Sequence, residues 1–199
     1  MDVLLIGHSG KLGSALREGL AHRGHRLTTA GRSAGDIRVD IADPESVTAL
    51  YDRAGHVDAV VSAAGVVPYN PIQTMTAEDY TSAYHNKVGS QIELVRQGVH
   101  RIDAHGSFTL ITGITARSPI ATGTAASLAN GAIESFVRAA AIEIAPQRVN
   151  AVSPTVFTES LDAYGDYFPG FPSVDLAAVV QAYVRSIEGA QTGQIYALD

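Results

Sequence analysis

The chain contains no cysteine and no tryptophan among its 199 residues, and only two methionines. Without cysteine, no disulfide framework, thiolate metal site or cysteine nucleophile can form. The formal net charge is −6, which argues against a surface for nucleic acid or an anionic membrane. The seven histidines show no metal-binding spacing, so no metal site is predicted.

Long apolar runs are also missing, because none approaches the roughly 20 residues of a membrane-spanning helix. The start, Met1-Asp2-Val3, lacks the basic region of a secretory signal. We therefore expect a cytoplasmic protein with no membrane partner. The hydrophobic share of 46% is enough for one well-packed domain that spans residues 1–199.

Short apolar runs alternate with helical patterns along the whole chain. Strands are predicted at Val3–Ile6, Arg26–Ala30, Asp36–Val39, Val57–Ala63, Ser107–Ile111, Val149–Val152 and Gln194–Leu198. Helices are predicted at Lys11–His22, Pro44–Arg53, Thr76–His100, Thr124–Ile144 and Ser173–Ile187. This alternation predicts an α/β fold with a doubly wound parallel sheet (a Rossmann fold) in three α/β/α layers.

One long connection, residues 155–172, has no regular pattern. It carries Tyr164, Tyr167, Phe168 and Phe171 among glycines and prolines. Long connections in compact domains are often functional, and the aromatic content predicts a lid over a substrate site. The tyrosines could transfer a proton or could simply close an apolar pocket.

A glycine-rich loop follows the first strand with the sequence Gly7-His8-Ser9-Gly10-Lys11-Leu12-Gly13. Glycine lets the backbone approach a pyrophosphate, and the helix N-terminus that follows offers free N–H groups. The loop therefore predicts dinucleotide binding. His8 and Lys11 could neutralise phosphate or could be solvated loop residues.

The second strand ends in Gly31-Arg32-Ser33, with no acidic residue to bind a ribose 2′-hydroxyl. Arg32 offers a fork of donors suited to a 2′-phosphate, and Ser33 adds a hydroxyl, so NADP(H) is predicted over NAD(H). Asp40-Ile41 would lie near the adenine, although Asp40 could simply precede the next helix.

Together these residues resemble the short-chain dehydrogenase/reductase superfamily. The resemblance also includes Ser62-Ala63-Ala64-Gly65, Arg148-Val149-Asn150-Ala151-Val152-Ser153-Pro154 and Thr192-Gly193-Gln194. It implies that Ala63, Ala64, Gly65, Pro154 and Val156 contact the cofactor.

The catalytic residues of that superfamily are missing here. Aligning on Asn130–Phe136 places Ala126 at the position of the family's tyrosine and Asn130 at that of its lysine. The same register places Gly113 at the catalytic serine, with Thr112 and Thr115 nearby. A small local gap would bring Thr112 into the serine's role.

The family's catalytic asparagine lies on the preceding long helix, where either Asn86 or Lys87 can occupy its position. The apolar register favours Lys87, which would supply the positive charge missing at Asn130. A lysine in a desolvated cleft can act as an acid or a base. The candidate catalytic residues are therefore Lys87, Thr112, Asn86 and Tyr164.

The resemblance implies an NADP(H)-dependent oxidoreductase for a small carbonyl or alcohol. A redox-inactive NADP(H)-binding sensor or partner protein and a non-redox isomerase or lyase stay open as alternatives. The resemblance also implies a homodimer in which Lys87–His100 and Thr124–Ile144 pack against a second subunit. Six alanines would allow that approach: Ala125, Ala126, Ala129, Ala132, Ala139 and Ala140.

Overall fold

The computed structural model describes every residue, Met1–Asp199, and contains one parallel sheet of seven strands. The strands are β1 (Asp2–Ile6), β2 (Arg26–Gly31), β3 (Ile37–Arg38), β4 (Ala59–Ser62), β5 (Ser107–Ile111), β6 (Arg148–Pro154) and β7 (Ile195–Leu198). Their order in the sheet is β3-β2-β1-β4-β5-β6-β7. The predicted doubly wound α/β fold is confirmed.

Helices cover both faces of the sheet. They are α1 (Lys11–His22), α2 (Pro44–Ala54), α3 (Ala77–Ala83), α4 (Ser90–Gly98), α5 (Thr124–Glu143), α6 (Leu161–Tyr164) and α7 (Leu176–Glu188). Side chains of β1 alternate between two apolar cores, as expected for a strand buried on both faces. Leu4 and Ile6 join the core beneath α2, α4 and α5, whereas Val3 and Leu5 join the core beneath α1 and α7.

The order in which strands are added to the sheet reverses at β1, which has β2 on one side and β4 on the other. In doubly wound sheets, ligands bind outside the carboxyl ends of the strands at this switch point. The glycine-rich loop leaves β1 at this edge, and residues 63–65 leave β4 beside it.

The long helix predicted for Thr76–His100 is wider in its middle than an ordinary α-helix. Residues Tyr84–Gly89 form a π-helical turn between α3 and α4, and the Ser90 N–H donates to His85 O, five residues back. Such turns insert one extra residue and are frequent at functional sites. The insertion changes which side chains face the sheet.

The connection 155–172 is also more regular than predicted. It contains single helical turns at Thr158–Ser160, at α6 and at Gly165–Tyr167. The last helix begins at Leu176, three residues after the predicted start at Ser173, and Glu159 carboxylate oxygens accept from the Leu176 N–H at 3.0 and 3.2 Å. The segment is thus anchored to the helix that follows it.

Most of the alanines expected at a subunit contact face the interior of this chain. Ala125, Ala126 and Ala129 have no exposed surface, and Ala140 retains only 7%. Only Ala132 and Ala139 of the six retain more surface, so the close approach that the other four allow is to other parts of this chain. Separately, none of the helices is both long and apolar enough to span a membrane.

Candidate active site

Two adjoining cavities open at the carboxyl ends of the strands and share Ala63, Ala64 and Gly65 as a common wall. The first, of about 450 Å³, lies over β1, β2 and the start of α2. The second, of about 530 Å³, lies between the N-terminus of α1, the π-helical turn, the loop after β5 and the 155–172 segment. Together they form one extended crevice.

The glycine-rich loop fits closely against its neighbours. Gly7 has a φ of +81°, and a Cβ there would lie 3.0 Å from the Ala63 backbone. A Cβ on Gly13 would lie 2.0 Å from Gly7 O, so Gly13 allows α1 to pack against the loop. Gly10 begins α1 without a side-chain hydrogen bond, which leaves the first N–H groups of the helix without helical partners.

His8 does not line either cavity, although it was expected on an exposed loop near phosphate. It is 7% exposed, and its ring lies beneath the turn after β2, where a Cβ on Gly35 would be 3.0 Å from His8 Cε1. His8 therefore supports the Gly31–Gly35 turn from below and does not reach a ligand in the crevice.

The first cavity collects most of the residues expected to hold the adenosine part of a dinucleotide. The predicted residues in its wall are Gly7, Ser9, Gly31, Arg32, Ser33, Asp40 and Ile41, besides the three shared residues. Arg32 is exposed and forms no ion pair, so its guanidinium is available to an anion. Asp40 also accepts from the Ala42 N–H at 3.1 Å, which shapes the chain before α2.

Asp36, an acidic residue that follows Arg32 and Ser33, forms its hydrogen bonds within the chain. Asp36 Oδ2 accepts from the backbone N–H and the hydroxyl of Thr29, at 2.8 and 2.7 Å. These hydrogen bonds hold the pKa of the Asp36 carboxyl below its usual range. The first cavity is therefore lined by the cation Arg32, the hydroxyl of Ser33 and the acid Asp40.

The crevice fits a dinucleotide in three respects. Glycines stand where a Cβ would collide with the loop backbone, the α1 N-terminus is uncapped, and Asn130 Oδ1 is buried without a hydrogen-bond partner in the wall of the second cavity. Native structures leave few buried polar atoms unpaired. The unpaired oxygen of Asn130 leaves an acceptor beside the second cavity.

Lys87 lies in the wall of the second cavity and is only 9% exposed. Its amine forms no hydrogen bond and no ion pair within the chain. Burial lowers the pKa of Lys87 from 10.5 to about 8, because a charged amine loses hydration. The protein thus holds an amine that can gain or lose a proton near neutral pH.

Asn86 faces a different region from its neighbour. It is exposed, its Nδ2 donates to Ser82 Oγ at 2.9 Å, and it lines the first cavity. Lys87 and Asn86 therefore do not share one cavity wall. The sequence left open whether Asn86 or Lys87 takes the position of the family's catalytic asparagine. In the structure, Lys87 is the one of the two that lines the second cavity.

Thr112 lines the second cavity but does not present a free proton there. Its Oγ1 lies 3.3 Å from Glu134 Oε1 and 3.3 Å from Val152 O, both acceptors. Ser153 Oγ also donates to Glu134 Oε1, at 2.8 Å, and Arg117 donates to Ser153. The expectation that Thr112 acts as a hydroxyl donor does not fit this network.

The 155–172 segment closes one side of the second cavity with aromatic side chains. Phe157, Tyr164 and Phe168 line the cavity, facing Tyr69 from the loop after β4. Tyr164 is 52% exposed. Pro154 and Val156, expected near the cofactor, also lie in this wall.

Lys11 contacts this segment directly. Its Nζ donates to Glu159 O at 2.6 Å and lies 3.3 Å from Ser160 Oγ. Lys11 and Leu12 both line the second cavity, and Leu12 also belongs to the core beneath α1. Lys11 thus joins the glycine-rich loop to the 155–172 segment.

Several wall residues were not among the candidates: Tyr69, Phe157 and Phe168, and the buried pair Thr115 and Asn130. Asn130 Nδ2 donates to Thr115 Oγ1 at 2.8 Å. The sequence pointed only to Asn130, because this amide on α5 occupies the position at which the superfamily has its catalytic lysine. Its partner lies 15 residues earlier, and only the fold brings the two together.

The fold and crevice define a doubly wound α/β protein whose ligand site lies at the switch point of its sheet. A family model described as enoyl-(acyl carrier protein) reductase matches residues 13–191. The chain belongs to the short-chain dehydrogenase/reductase superfamily, and its named relatives are reductases. The predicted superfamily is confirmed, and at this level so is an oxidoreductase.

Individual relatives agree with this assignment. Versicolorin reductase stcU from Emericella nidulans is 26% identical over 176 residues, which cover 76% of this chain and 67% of that protein. Trihydroxynaphthalene reductase PfmaI from Pestalotiopsis fici is 27% identical over 162 residues, covering 77% of this chain and 57% of that protein. The chain thus spans between 57% and 67% of the length of these two reductases.

Solved structures cover the full chain. The protein lin1944 from Listeria innocua is 43% identical and superimposes with a TM-score of 0.97 over 100% of both chains. A small-chain dehydrogenase in complex with NADPH is 23% identical, with a TM-score of 0.88 over 100% of this chain and 96% of its own. At that identity the second likeness shows the fold alone.

Proposed function

We propose that this protein is an NADP(H)-dependent reductase of small, partly apolar ketones or aldehydes, working without the family's tyrosine. The observation that carries the proposal is Lys87, a buried and unpaired amine in the wall of the cavity beside the dinucleotide crevice. The cation missing at Asn130 on α5 is supplied from the neighbouring π-helical turn.

NADP(H) is proposed over NAD(H) because of the wall of the first cavity. Arg32 and Ser33 occupy the place beside β2 where a 2′-phosphate would lie, and guanidinium binds phosphate through paired donors. The relative in complex with NADPH shares the fold. Gly7, Gly10 and the α1 N-terminus would hold the pyrophosphate.

A bound reduced nicotinamide dinucleotide would supply the hydride. The chain's own residues bind, orient and protonate. Lys87, in its ammonium form, donates a proton to the oxygen of the substrate carbonyl group as that group is reduced. Asn130 Oδ1 accepts a hydrogen bond from the ligand in the crevice. Tyr69, Tyr164 and Phe168 exclude water and contact apolar parts of the substrate.

A redox-inactive dinucleotide-binding protein is the second candidate. It is favoured by Ala126, which is fully buried, lines neither cavity and cannot transfer a proton. The two candidates predict the same binding of NADPH and differ only in turnover.

Titration of NADPH and NADH, followed by nicotinamide fluorescence, tests the cofactor. The absence of tryptophan removes the usual protein fluorescence background. We expect tighter binding of NADPH than of NADH. Loss of NADPH absorbance is then followed with 2-tetralone, cyclohexanone and benzaldehyde, and turnover with any of them supports a reductase. Binding of NADPH with no turnover favours the redox-inactive candidate.

Two variants separate the charge of Lys87 from its proton. K87R keeps a cation but cannot release a proton near neutral pH, whereas K87M removes both. We expect K87R to retain NADPH affinity while losing turnover at least a hundredfold, and K87M to lose turnover as well. Unchanged turnover in both variants contradicts a role for Lys87.

A homodimer through α4 and α5 stays a prediction. Since most of these alanines are buried within this chain, a contact on α5 would have to use exposed side chains such as Leu128, which is 49% exposed. Sedimentation at micromolar concentration tests it, and a monomer contradicts it.

A further inference from the structure

Two threonines on the chain after β5 line the second cavity, and their hydroxyl groups are hydrogen-bonded in opposite ways. Thr112 has only acceptors beside its Oγ1, namely Glu134 Oε1 and Val152 O. A hydroxyl has one proton to donate, so the proton of Thr112 is already directed into the protein.

Thr115 has a donor beside its oxygen and no acceptor for its proton. Asn130 Nδ2 donates to Thr115 Oγ1 at 2.8 Å, and the hydroxyl donates to no group in the chain. Thr115 is only 3% exposed and lines the second cavity, so the acceptor that it lacks would have to come from that cavity. Leaving a buried donor unpaired is unfavourable, and a ligand oxygen in the cavity would accept the hydrogen bond.

The side chain of Asn130 has room for this contact because residue 113 is glycine. A Cβ on Gly113 would lie 3.1 Å from Asn130 Nδ2, closer than side chains normally approach. The Asn130 amide therefore lies in space that a side chain at residue 113 would crowd. Its other atom, Oδ1, is buried without a partner, and both unpaired groups belong to residues that line the cavity.

We propose that the Thr115 hydroxyl donates a hydrogen bond to the oxygen of the carbonyl substrate, and that Asn130 is the positioning residue that orients it. This inference rests on the proposed reductase function. The carbonyl carbon gains a hydride with its two electrons, which the dinucleotide loses, and the oxygen gains a proton from the Lys87 ammonium. Thr115 keeps its proton and stabilises the negative charge that develops on the oxygen. Lys87 regains a proton from water.

T115V and T112V form a matched pair, because each replaces a buried threonine of the same cavity by a side chain of the same shape. For reduction of 2-tetralone by NADPH, we expect T115V to lower kcat about a hundredfold, the effect of losing one such donor. T112V should lower kcat much less than T115V does. T115S restores the hydroxyl and should retain most activity. NADPH affinity should be the same in all these variants.

A second measurement does not depend on turnover. We expect the resonance of 2-tetralone carrying ¹³C at the carbonyl to move to lower field on binding to the protein with NADP⁺, as a hydrogen-bonded carbonyl does. The T115V variant should lose this displacement and T112V should keep it. If T115V fails to fold, T115A provides the same comparison.

The outcomes separate the two proposals. An active wild-type protein whose kcat and carbonyl resonance are unaffected by T115V, or are lost in T112V, overturns the assignment of Thr115 alone. A wild-type protein that binds NADPH but neither binds nor reduces any of the three carbonyl compounds overturns the reductase, and the assignment of Thr115 with it.

Discussion

Gly65 lies directly against the aliphatic part of Lys87. A Cβ on Gly65 would be 3.0 Å from Lys87 Cγ and 3.3 Å from its Cδ, and Gly65 has a φ of +150°. The loop after β4 thus forms one side of the channel in which the lysine extends. The missing side chain at residue 65 lets a long cation pass between the loop and the π-helical turn, with its amine at the second cavity.

The charge of this lysine should destabilise the folded protein. Burial lowers the pKa of Lys87 to about 8, from 10.5, so between these pH values the unfolded chain binds more protons. The free energy of unfolding should therefore rise with pH in that window. K87M removes a cost of about 3 kcal/mol at most and should be more stable than wild type at pH 7.

Urea unfolding at pH 7 and pH 10.5 measures this effect. The advantage of K87M should shrink above pH 8 and be small at pH 10.5. K11M is the matched control, because Lys11 is exposed and is the only other lysine in the chain. An equal advantage of K87M at both pH values contradicts the prediction.

The two lysines also allow the pKa to be read directly. In protein labelled with ¹³C-lysine, two side-chain Cε signals are expected, and the K11M variant assigns them. The signal of Lys87 should titrate with a midpoint of about 8. In the proposed reductase, kcat for ketone reduction should fall as the pH rises through the same midpoint, because the ammonium form is lost.

Arg32 should decide the choice between the two nicotinamide dinucleotides. Because its guanidinium is exposed and has no partner in the chain, R32A should weaken NADPH binding tenfold or more, the effect of losing about 1.5–3 kcal/mol from hydrogen bonds to a charged group. NADH binding should change little. Fluorescence titration measures both, with R53A, an exposed arginine at the end of α2, as the control. An equal loss of affinity for NADPH and NADH would show that Arg32 does not bind the 2′-phosphate.

Alanine substitutions at two glycines of the first loop should affect different properties, stability at Gly13 and NADPH binding at Gly10. G13A places a Cβ 2.0 Å from Gly7 O and should lower stability by roughly 1–3 kcal/mol, as overpacking does. G10A meets nothing closer than 3.8 Å, so it should fold normally while binding NADPH less well. Thermal unfolding and titration together test this, and G131A, where a Cβ meets nothing within 4 Å, is the control. A G10A variant with full affinity would exclude close backbone approach at residue 10.

Removal of the Lys11 contact should loosen the segment above the second cavity. K11M loses the 2.6 Å hydrogen bond to Glu159 O, so amide hydrogen exchange should become faster over residues 158–168. Global stability should hardly change, because the contact is exposed. R17M alters an exposed residue on the same helix and should leave this exchange unchanged. Equal protection in K11M and wild type contradicts the prediction.

Local patterns were enough to predict the fold. The alternation of apolar strands with helical patterns follows from side-chain periodicity, and the glycine-rich loop follows from its place between β1 and α1. The missing acid after β2 is likewise a property of consecutive residues. Each of these features depends on neighbours in the sequence, which is why all could be stated before the structure.

The tertiary structure decided the rest. Asn86 and Lys87 are consecutive residues of the π-helical turn and line different cavities, and only the packing of that turn shows which cavity each of them reaches. The direction of the Thr112 and Thr115 hydroxyls depends on Glu134 and Asn130, residues of α5 that only folding brings beside them. His8 is buried by the turn after β2, and four alanines of α5 are buried within the folded chain. Burial and hydrogen-bond direction are set by residues distant in the chain, so the sequence named part of the site, and packing selected among those residues and added others such as Thr115 and Asn130.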